Sequence, residues 1–461
     1  MAGKESESKK WTDIMAVSYE IRDPPTTATG ILKELGPGLV LTASVVGSGE
    51  LITTTILGAQ IGFVMLWAIL ISCVIKMFIQ VEFGRTAIAT GKTSIEAMND
   101  TIPGPKFLGN SWISWLYMIF GITSAFVWAG GMAGSMGSCI GAFTGTDPVL
   151  WGIVITLITL AIFYYSRYYD RIKSIIIGIV AIFVFTTVIG VFFTVGTPYA
   201  ISAEDIASGL TFAIPAGAWF TAFSMFGMTG VGGNELMQYP YWCVEAGYAN
   251  STGPREESPE WAERARGWIR VMWWDVFLST IISLVCTVAF YLLGAAVLHR
   301  IGVVPKGMGV AIHLAKMFTE VYGPVALWWF LIGAFFVLFS TWYSFSLGFS
   351  RVLINFIQRA GFIRYERDAA TKTVFGFLFI YSIWAIAEIV AIKAPAFLII
   401  LAGIFINLAL IPTGLAACYW AFKQPDKRIA ARTIVKILIV ITFIVILAFN
   451  ATLVAKRLGL F

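Results

Sequence analysis

Long apolar runs separated by short polar segments dominate the chain and recur along nearly its whole length. Strict alternation of apolar and polar residues, the pattern of a membrane β-strand, is absent. Because lipid offers no hydrogen-bond partners to the backbone, we expect each run to be a helix that crosses the bilayer. Eleven runs have the length of about 20 residues that a crossing requires: 36–58, 62–84, 112–140, 149–166, 172–195, 213–243, 268–298, 323–350, 373–392, 395–419 and 433–455. The pattern predicts an all-α integral membrane protein.

Composition agrees with this prediction and excludes a globular enzyme. Of the 461 residues, 58% are hydrophobic and only 13% are charged, with a mean hydropathy of +0.82, whereas soluble domains carry about 25% charged residues. We find no phosphate-binding loop and no grouping of nucleophile, base and orienting residue. The sequence therefore predicts neither an enzyme nor a cofactor, and a secondary carrier or passive uniporter is favoured over an ATP-driven pump.

The distribution of basic residues predicts the orientation in the membrane. With the N-terminus in the cytoplasm, 25 of the 32 lysines and arginines fall in cytoplasmic segments, six fall outside, and Lys76 lies within the membrane. This asymmetry follows the positive-inside rule. We expect a multi-pass protein of the inner (plasma) membrane, with a cytoplasmic segment at 1–34 that is not a cleavable signal and a single transmembrane domain at 35–456. The formal charge of +6 then reflects topology, so no nucleic-acid partner is expected.

A glycine-rich interruption divides the first apolar run. Gly47, Ser48 and Gly49 precede Glu50 in the middle of the run. A carboxylate at that depth is costly and is by default functional. Glycines beside it are typical of a helix that unwinds and presents backbone groups to a ligand.

The sixth run contains a matching interruption. The residues from Gly230 to Glu235 read GVGGNE, and each glycine costs about 1 kcal/mol in a helix. Paired breaks in corresponding halves are the sequence signature of an inverted-repeat transporter. We therefore predict a first repeat at 35–196, a second repeat at 213–420 and an extra eleventh helix at 433–455.

The two breaks predict a substrate site near the bilayer midplane. Glu50 and Glu235 are the candidates for charge compensation, and with Asn234 they are the candidate metal ligands. Transport is expected to proceed by alternating access around this site. The further lining candidates are Gly47, Ser48, Gly49, Thr53, Val231, Gly232 and Asn234.

Two other charges lie within apolar runs at similar predicted depth. A rise of about 1.5 Å per residue brings Lys76 of the second run level with Asp275 of the seventh. Two interpretations remain open: a structural ion pair, or a gating or proton-coupling group.

The chain resembles the Nramp divalent-metal transporters, a family with the LeuT-type fold of five-plus-five inverted repeats. The resemblance is most specific over residues 33–100. It is carried by Gly36-Pro37-Gly38, Thr53, Gly58-Ala59-Gln60, Gly62, Leu66-Trp67 and Thr90-Gly91-Lys92, and more loosely by Ser340-Thr341 with Gly348. It implies that the first and sixth helices bind a divalent cation.

The departures from the family pattern fall on the metal ligands. The family's DPGN signature corresponds here to Gly47-Ser48-Gly49-Glu50, so its metal-binding aspartate becomes Gly47. Its MPHN signature aligns without a gap on residues 231–234, so the thioether ligand becomes Val231 and only Asn234 is kept. The family's acidic proton-path residue in the third helix and its arginine pair in the ninth are absent.

Three functional hypotheses follow. The first is a divalent-cation carrier whose preference is displaced towards Mg²⁺, because the thioether is lost and oxygen ligands alone suit hard cations. The oxygen ligands would come from the two glutamates and from Ser48, Thr53, Gln60 and Asn234.

The second hypothesis is a carrier of a small polar solute. Gly47-Ser48-Gly49 resembles the GSG motif of amino-acid carriers, where the amides of a half-helix hold a substrate carboxylate. A sensor that keeps the fold without transporting is the third.

Overall fold

A computed structural model describes residues 20–35, 47–106, 109–164, 167–215, 217–364 and 367–457. Throughout these ranges the secondary structure is helical, and the connections are short turns. The start of the first apolar run, including Gly36-Pro37-Gly38, lies outside the described residues.

Eight described helices are long and apolar enough to cross a membrane. Each coincides with one of the runs predicted from hydropathy. They are α3 (Leu66–Thr90), α5 (Trp112–Thr144), α7 (Arg167–Phe193), α12 (Pro259–Leu293, continued as a π-helix over Gly294–Leu298), α14 (Ala326–Arg359), α15 (Arg367–Ile392), α16 (Pro395–Phe422) and α17 (Thr433–Arg457). The shorter α6 (Pro148–Tyr164) matches the fourth run.

The first and sixth runs form three further helices, and the sixth run is broken as predicted. In the first, α2 is a π-helix over Gly49–Thr54 and an α-helix over Thr55–Ile61. In the sixth, α9 (Trp219–Met228) and α10 (Gly233–Ala246) are separated by four non-helical residues.

The predicted start of the seventh span at 268 is wrong. Helix α12 begins at Pro259, where Ser258 accepts a hydrogen bond from the Trp261 amide as N-cap. Proline at the first helical position suits an N-terminus. The charged residues that precede the apolar run therefore belong to the helix.

Short helices pack at the ends of the bundle. They are α1 (Ala28–Lys33), α4 (Ser94–Thr101), α8 (Ala203–Ser208), α11 (Tyr248–Thr252) and α13 (Val310–Tyr322). Helix α13 is amphipathic and buries one face. The Arg22 amide donates to the Ser251 carbonyl (3.0 Å), which puts residues 20–35 on the same side as the connector before α12.

Helix α2 is held inside the bundle by a close approach to α12. A Cβ on Gly58 would lie 2.6 Å from the Tyr291 carbonyl oxygen, and a Cβ on Gly294 would lie 2.5 Å from that of Thr55. Only glycine permits such backbone contact, the usual role of small residues between membrane helices. Helix α16 packs along α5 and α9, so both breaks face the middle of the bundle. The division into inverted repeats at 35–196 and 213–420 stays a prediction.

Candidate functional site

The described part of the first run begins at its predicted interruption. The Leu51 amide donates to the Gly47 carbonyl (2.9 Å), which starts α2. Glu50 lies in the first turn and is fully buried. Its Oε2 accepts a hydrogen bond from the Gly47 amide (3.1 Å), so the side chain caps the N-terminus of its own helix. A carboxylate is stabilised there by the helix dipole.

The break in the sixth run is built from residues 229–232. Thr229 is extended (φ −75°, ψ 143°). Gly230 has φ +64°, a left-handed conformation that glycine adopts readily. Helix α10 then begins at Gly233 with Glu235 in its first turn. Both helices that begin at a break therefore carry a glutamate near their N-terminus.

A small cavity lies where the start of α2 meets this break. Helices α5, α14 and α16 complete its walls. Among the described residues, its lining consists of Ser48, Gly49, Trp128, Met228, Gly230, Glu235, Thr341, Phe345 and Ile406. The indole nitrogen of Trp128 donates to the Ser48 hydroxyl (2.9 Å), which joins α5 to the start of α2.

The two glutamates that the sequence treats as a pair take different positions relative to the cavity. Glu235 lines the cavity and keeps some exposure there. Glu50 does not belong to the lining: one carboxylate oxygen is bound by Gly47, and the other has no hydrogen-bond partner among the described residues. Of the two glutamates, Glu235 is the one whose carboxylate lines the cavity.

Space at Gly47 is taken up by the opposing helix. A Cβ placed there would lie 2.3 Å from Oγ1 and 2.6 Å from Cγ2 of Thr341 in α14. Contacts this short are far inside van der Waals distance. Any side chain at position 47, the family's aspartate included, would displace Thr341, whose hydroxyl-bearing side chain lines the cavity in its place.

A thioether is present in the cavity although the ungapped alignment places none there. Met228, the last residue of α9, lies three positions before Val231 and lines the cavity. Its sulfur accepts hydrogen bonds from the hydroxyls of Thr53 and Ser224, each at 3.6 Å. The cavity lining therefore includes a sulfur atom, which comes from a different position, the C-terminus of α9.

The other predicted lining residues are buried beside the cavity rather than on it. Asn234 turns towards α5, where its Oδ1 accepts from the Tyr117 hydroxyl (3.0 Å) and its Nδ2 donates to Ser124 (2.9 Å). Val231 and Gly232 form the break itself. Thr53 contacts the cavity through Met228.

Gln60 does not belong to the site. It is exposed near the end of α2. At about 1.5 Å per residue it lies roughly 18 Å along the helix from Ser48.

The structure gives Lys76 other neighbours than Asp275. Its ammonium donates to the carbonyl oxygens of Phe226 (2.8 Å) and Thr229. The carboxylates of Glu235 and Glu50 interact electrostatically with this ammonium. Asp275 is fully buried in α12 and interacts electrostatically with Tyr239 and Cys243 of α10.

Sequence reasoning missed the cavity's aromatic and apolar wall. Trp128, Phe345 and Ile406 lie in unbroken apolar helices, where composition does not distinguish a cavity position from a lipid-facing one. Met228 carried a usable signal, because it is the last helical residue before the glycines.

No group of three or more histidine, cysteine, aspartate or glutamate side chains is arranged to hold a metal within the described residues. Among the described residues, the side chains that line the cavity include one carboxylate (Glu235), two hydroxyls (Ser48 and Thr341) and one thioether (Met228).

Parts of the chain are similar in sequence to known proteins. The chain is 31% identical over 80 residues to the "Divalent metal cation transporter MntH" of Bacillus subtilis, a match that covers 17% of this chain and 19% of that protein. Such relatives are matched over 19% to 34% of their own lengths.

Solved structures match over much more of the chain. A manganese transporter from Eremococcus coleocola superimposes with a TM-score of 0.67 at 14% identity, over 96% of this chain and 90% of that one. MhsT in complex with L-phenylalanine gives a TM-score of 0.52 at 14% identity, over 92% and 99%. These likenesses establish the LeuT-type fold. Residues 38–456 match the sequence profile described as natural resistance-associated macrophage protein-like, and the chain therefore belongs to the Nramp family.

Proposed function

We propose that this protein carries a divalent cation across the membrane by alternating access, binding it in the cavity between the two helix breaks. The observation that carries the proposal is the position of Glu235, which lines the cavity together with Ser48 and Met228. Members of the Nramp family are transporters rather than enzymes. The Bacillus subtilis relative is named a divalent metal cation transporter, and the Eremococcus coleocola neighbour a manganese transporter.

The electrostatics of the breaks favour a cation. Half-helix N-termini bind anionic substrate groups when their amides are free. Here the Gly47 amide is already bound by the Glu50 carboxylate, and Glu235 places a second negative charge in the first turn of α10. A substrate carboxylate in the cavity would therefore meet the Glu235 carboxylate, with Glu50 buried beside it, instead of the Gly47 amide.

The donors around the cavity favour hard divalent cations and also admit a softer one. The Glu235 carboxylate and the hydroxyls of Ser48 and Thr341 are oxygen ligands that suit Mg²⁺. The Met228 thioether adds affinity for Mn²⁺ and similar ions. We therefore extend the preference for Mg²⁺ that the sequence indicates to a carrier that accepts Mg²⁺ and Mn²⁺, with Met228 setting the balance.

A small polar solute that carries an ammonium group is a second candidate. Trp128, Phe345 and Ile406 provide an apolar wall for an organic group, with Glu235 as the partner of its ammonium.

Uptake by reconstituted vesicles tests the proposal and separates the candidates. Protein in liposomes loaded with a fluorescent indicator should admit Mg²⁺ and Mn²⁺ faster than protein-free liposomes, and an excess of amino acids should not compete. Absence of divalent uptake, together with saturable amino-acid uptake, would replace the first candidate by the second.

Orientation and location complete the proposal. The chain is a multi-pass membrane protein. We place it in the plasma membrane with a cytoplasmic N-terminus, supported by the excess of basic residues in the segments on that side. Labelling of cysteines introduced at residues 20–35 in intact cells tests the orientation.

A further inference from the structure

Lys76 is a fully buried cation bound to backbone oxygens of the broken helix. It lies in the middle of α3 with no solvent exposure. Its Nζ donates to the carbonyl oxygens of Phe226 (2.8 Å) and Thr229, and it lies 5.5 Å from the centre of the Phe226 ring. The contact joins residues 150 positions apart in the sequence.

These carbonyls are available because α9 ends at Met228. The last four carbonyls of a helix have no partner within the helix, and the helix dipole makes that end negative. The hydroxyl of Ser72 also donates to the Phe226 carbonyl (3.1 Å) and lies 2.8 Å from the Thr229 hydroxyl oxygen. Two carbonyl oxygens therefore bind the ammonium, and one of them, that of Phe226, also accepts the Ser72 hydroxyl.

Oxygens of this kind are what a monovalent cation binds in broken-helix carriers, where unwound carbonyls and half-helix C-termini coordinate Na⁺. Here the ammonium makes those contacts. We propose that Lys76 is a tethered cation, which occupies a monovalent-cation site at the end of α9 and replaces the free ion that would otherwise bind there.

The surrounding charges give the tethered cation an electrostatic role. Glu235 and Glu50 are the carboxylates that act on Lys76, and Glu235 faces the cavity. With both carboxylates ionised, Lys76 leaves the cluster with a net charge of −1, whereas the cluster would carry −2 without it. A permanently attached charge makes the cluster independent of external Na⁺ or K⁺. The consequence for uptake rests on the proposed function, whereas the cation site itself does not.

Two substitutions separate loss of charge from opening of the site. Lys76→Ala removes the ammonium and leaves space beside the two carbonyl oxygens, whereas Lys76→Met removes the charge and fills the space. The measurements are divalent-cation uptake by proteoliposomes and the melting midpoint in detergent, each with choline or Na⁺ or K⁺ as the monovalent cation. Cys73→Ala, one turn away on α3 and equally buried, controls for general loss of packing.

We expect wild type, Cys73→Ala and Lys76→Met to show no dependence on Na⁺ or K⁺. Lys76→Ala should lose uptake at least about tenfold in choline, recover part of it in one of the two ions, and gain melting midpoint as that ion binds. If Lys76→Ala is not recovered as folded protein, Lys76→Ser receives the same test.

Full activity of Lys76→Ala in choline would overturn the proposal, as would equal stabilisation of wild type and variant by Na⁺ or K⁺. If wild type moves no divalent cation, the proposed function fails. The dependence of the Lys76→Ala melting midpoint on Na⁺ or K⁺ then still decides whether Lys76 occupies a cation site.

Discussion

The sulfur of Met228 lies 3.6 Å from the hydroxyl oxygen of Thr53. This contact joins the last residue of α9 to the π-helical start of α2. It places a soft donor at the cavity from a position that the family's signature does not occupy. We therefore predict that Met228, a residue that alignment of the signature overlooks, contributes to the metal selectivity of the site.

Met228→Leu should change selectivity more than activity. The substitution conserves volume, so we expect little loss of stability. Without the thioether, Mn²⁺ uptake should fall several-fold, while Mg²⁺ uptake stays within about twofold of wild type. Paired uptake curves for the two ions measure the ratio.

Met225→Leu is the matched control for that substitution. Met225 lies one turn earlier on α9, and its sulfur accepts from the Thr229 hydroxyl at 3.6 Å without lining the cavity. Its ratio of Mn²⁺ to Mg²⁺ uptake should equal that of wild type. If the ratio of Mn²⁺ to Mg²⁺ uptake is unchanged in Met228→Leu, the Met228 sulfur does not bind the transported ion.

Glu235→Gln should lower divalent uptake at least about tenfold, because it neutralises the carboxylate that faces the cavity. Glu50→Gln should lower uptake less. The Glu50 carboxylate is bound to the Gly47 amide, and a glutamine oxygen can accept the same hydrogen bond. Initial rates over a range of cation concentrations measure both variants.

Glu388→Gln serves as the control for the loss of a buried carboxylate. Glu388 lies in α15, where it accepts a hydrogen bond from the Gly130 amide (2.9 Å) away from the cavity lining. Its uptake should stay within about twofold of wild type. A larger loss in Glu50→Gln than in Glu235→Gln would make Glu50 the principal ligand and contradict the geometry.

Gly47→Ala should destabilise the protein by overpacking. The new methyl group would overlap the Thr341 side chain, and such strain costs about 1–3 kcal/mol in a packed core. Thr341→Gly in the same molecule removes the overlapping atoms and should restore much of the melting midpoint. Gly178→Ala, where no atom lies within 4 Å of the added Cβ, should not lower it. If the melting midpoint of Gly47→Ala equals that of wild type, α2 and α14 can move apart to accept the methyl group without loss of stability.

Asp426→Asn should destabilise the protein at neutral pH and lose this effect in acid. Asp426 lies between α16 and α17, where hydrogen bonds from Arg428 (2.7 and 3.0 Å) and from Arg255 (2.9 Å) hold its pKa well below its ordinary value of 3.8. Because the folded-state pKa is depressed, the stabilisation is complete above pH 4 or so and is lost as the pH falls towards the folded-state value.

Melting midpoints of wild type and Asp426→Asn from neutral pH down to acid should therefore converge below about pH 4. Glu257→Gln is the control, since the Glu257 side chain is 81% exposed where it pairs with Arg255, and such surface pairs contribute about 0–1 kcal/mol. A difference for Asp426→Asn that persists unchanged into acid would exclude its charge as the cause.

The membrane architecture could be predicted from local properties of the chain. Apolar length and glycine content act residue by residue, since lipid requires helices and glycines weaken them. The eight membrane-length helices and the break before Gly233 were predicted for this reason. The start of α12 at Pro259 was missed, because charged residues extend that helix beyond the apolar run.

The donors of the site depended on tertiary structure. Hydropathy does not determine the direction of a helix that restarts after a break, since Gly230 at φ +64° resets its rotation. That rotation brings Glu235 to the cavity and turns Asn234 towards α5. The contact of Lys76 with α9 likewise joins residues 150 positions apart. By itself, then, the sequence determined a broken-helix membrane protein of this family, because those features are local. Only the packing of the helices decided which carboxylate, sulfur and ammonium meet at the breaks, because that depends on how distant helices face one another.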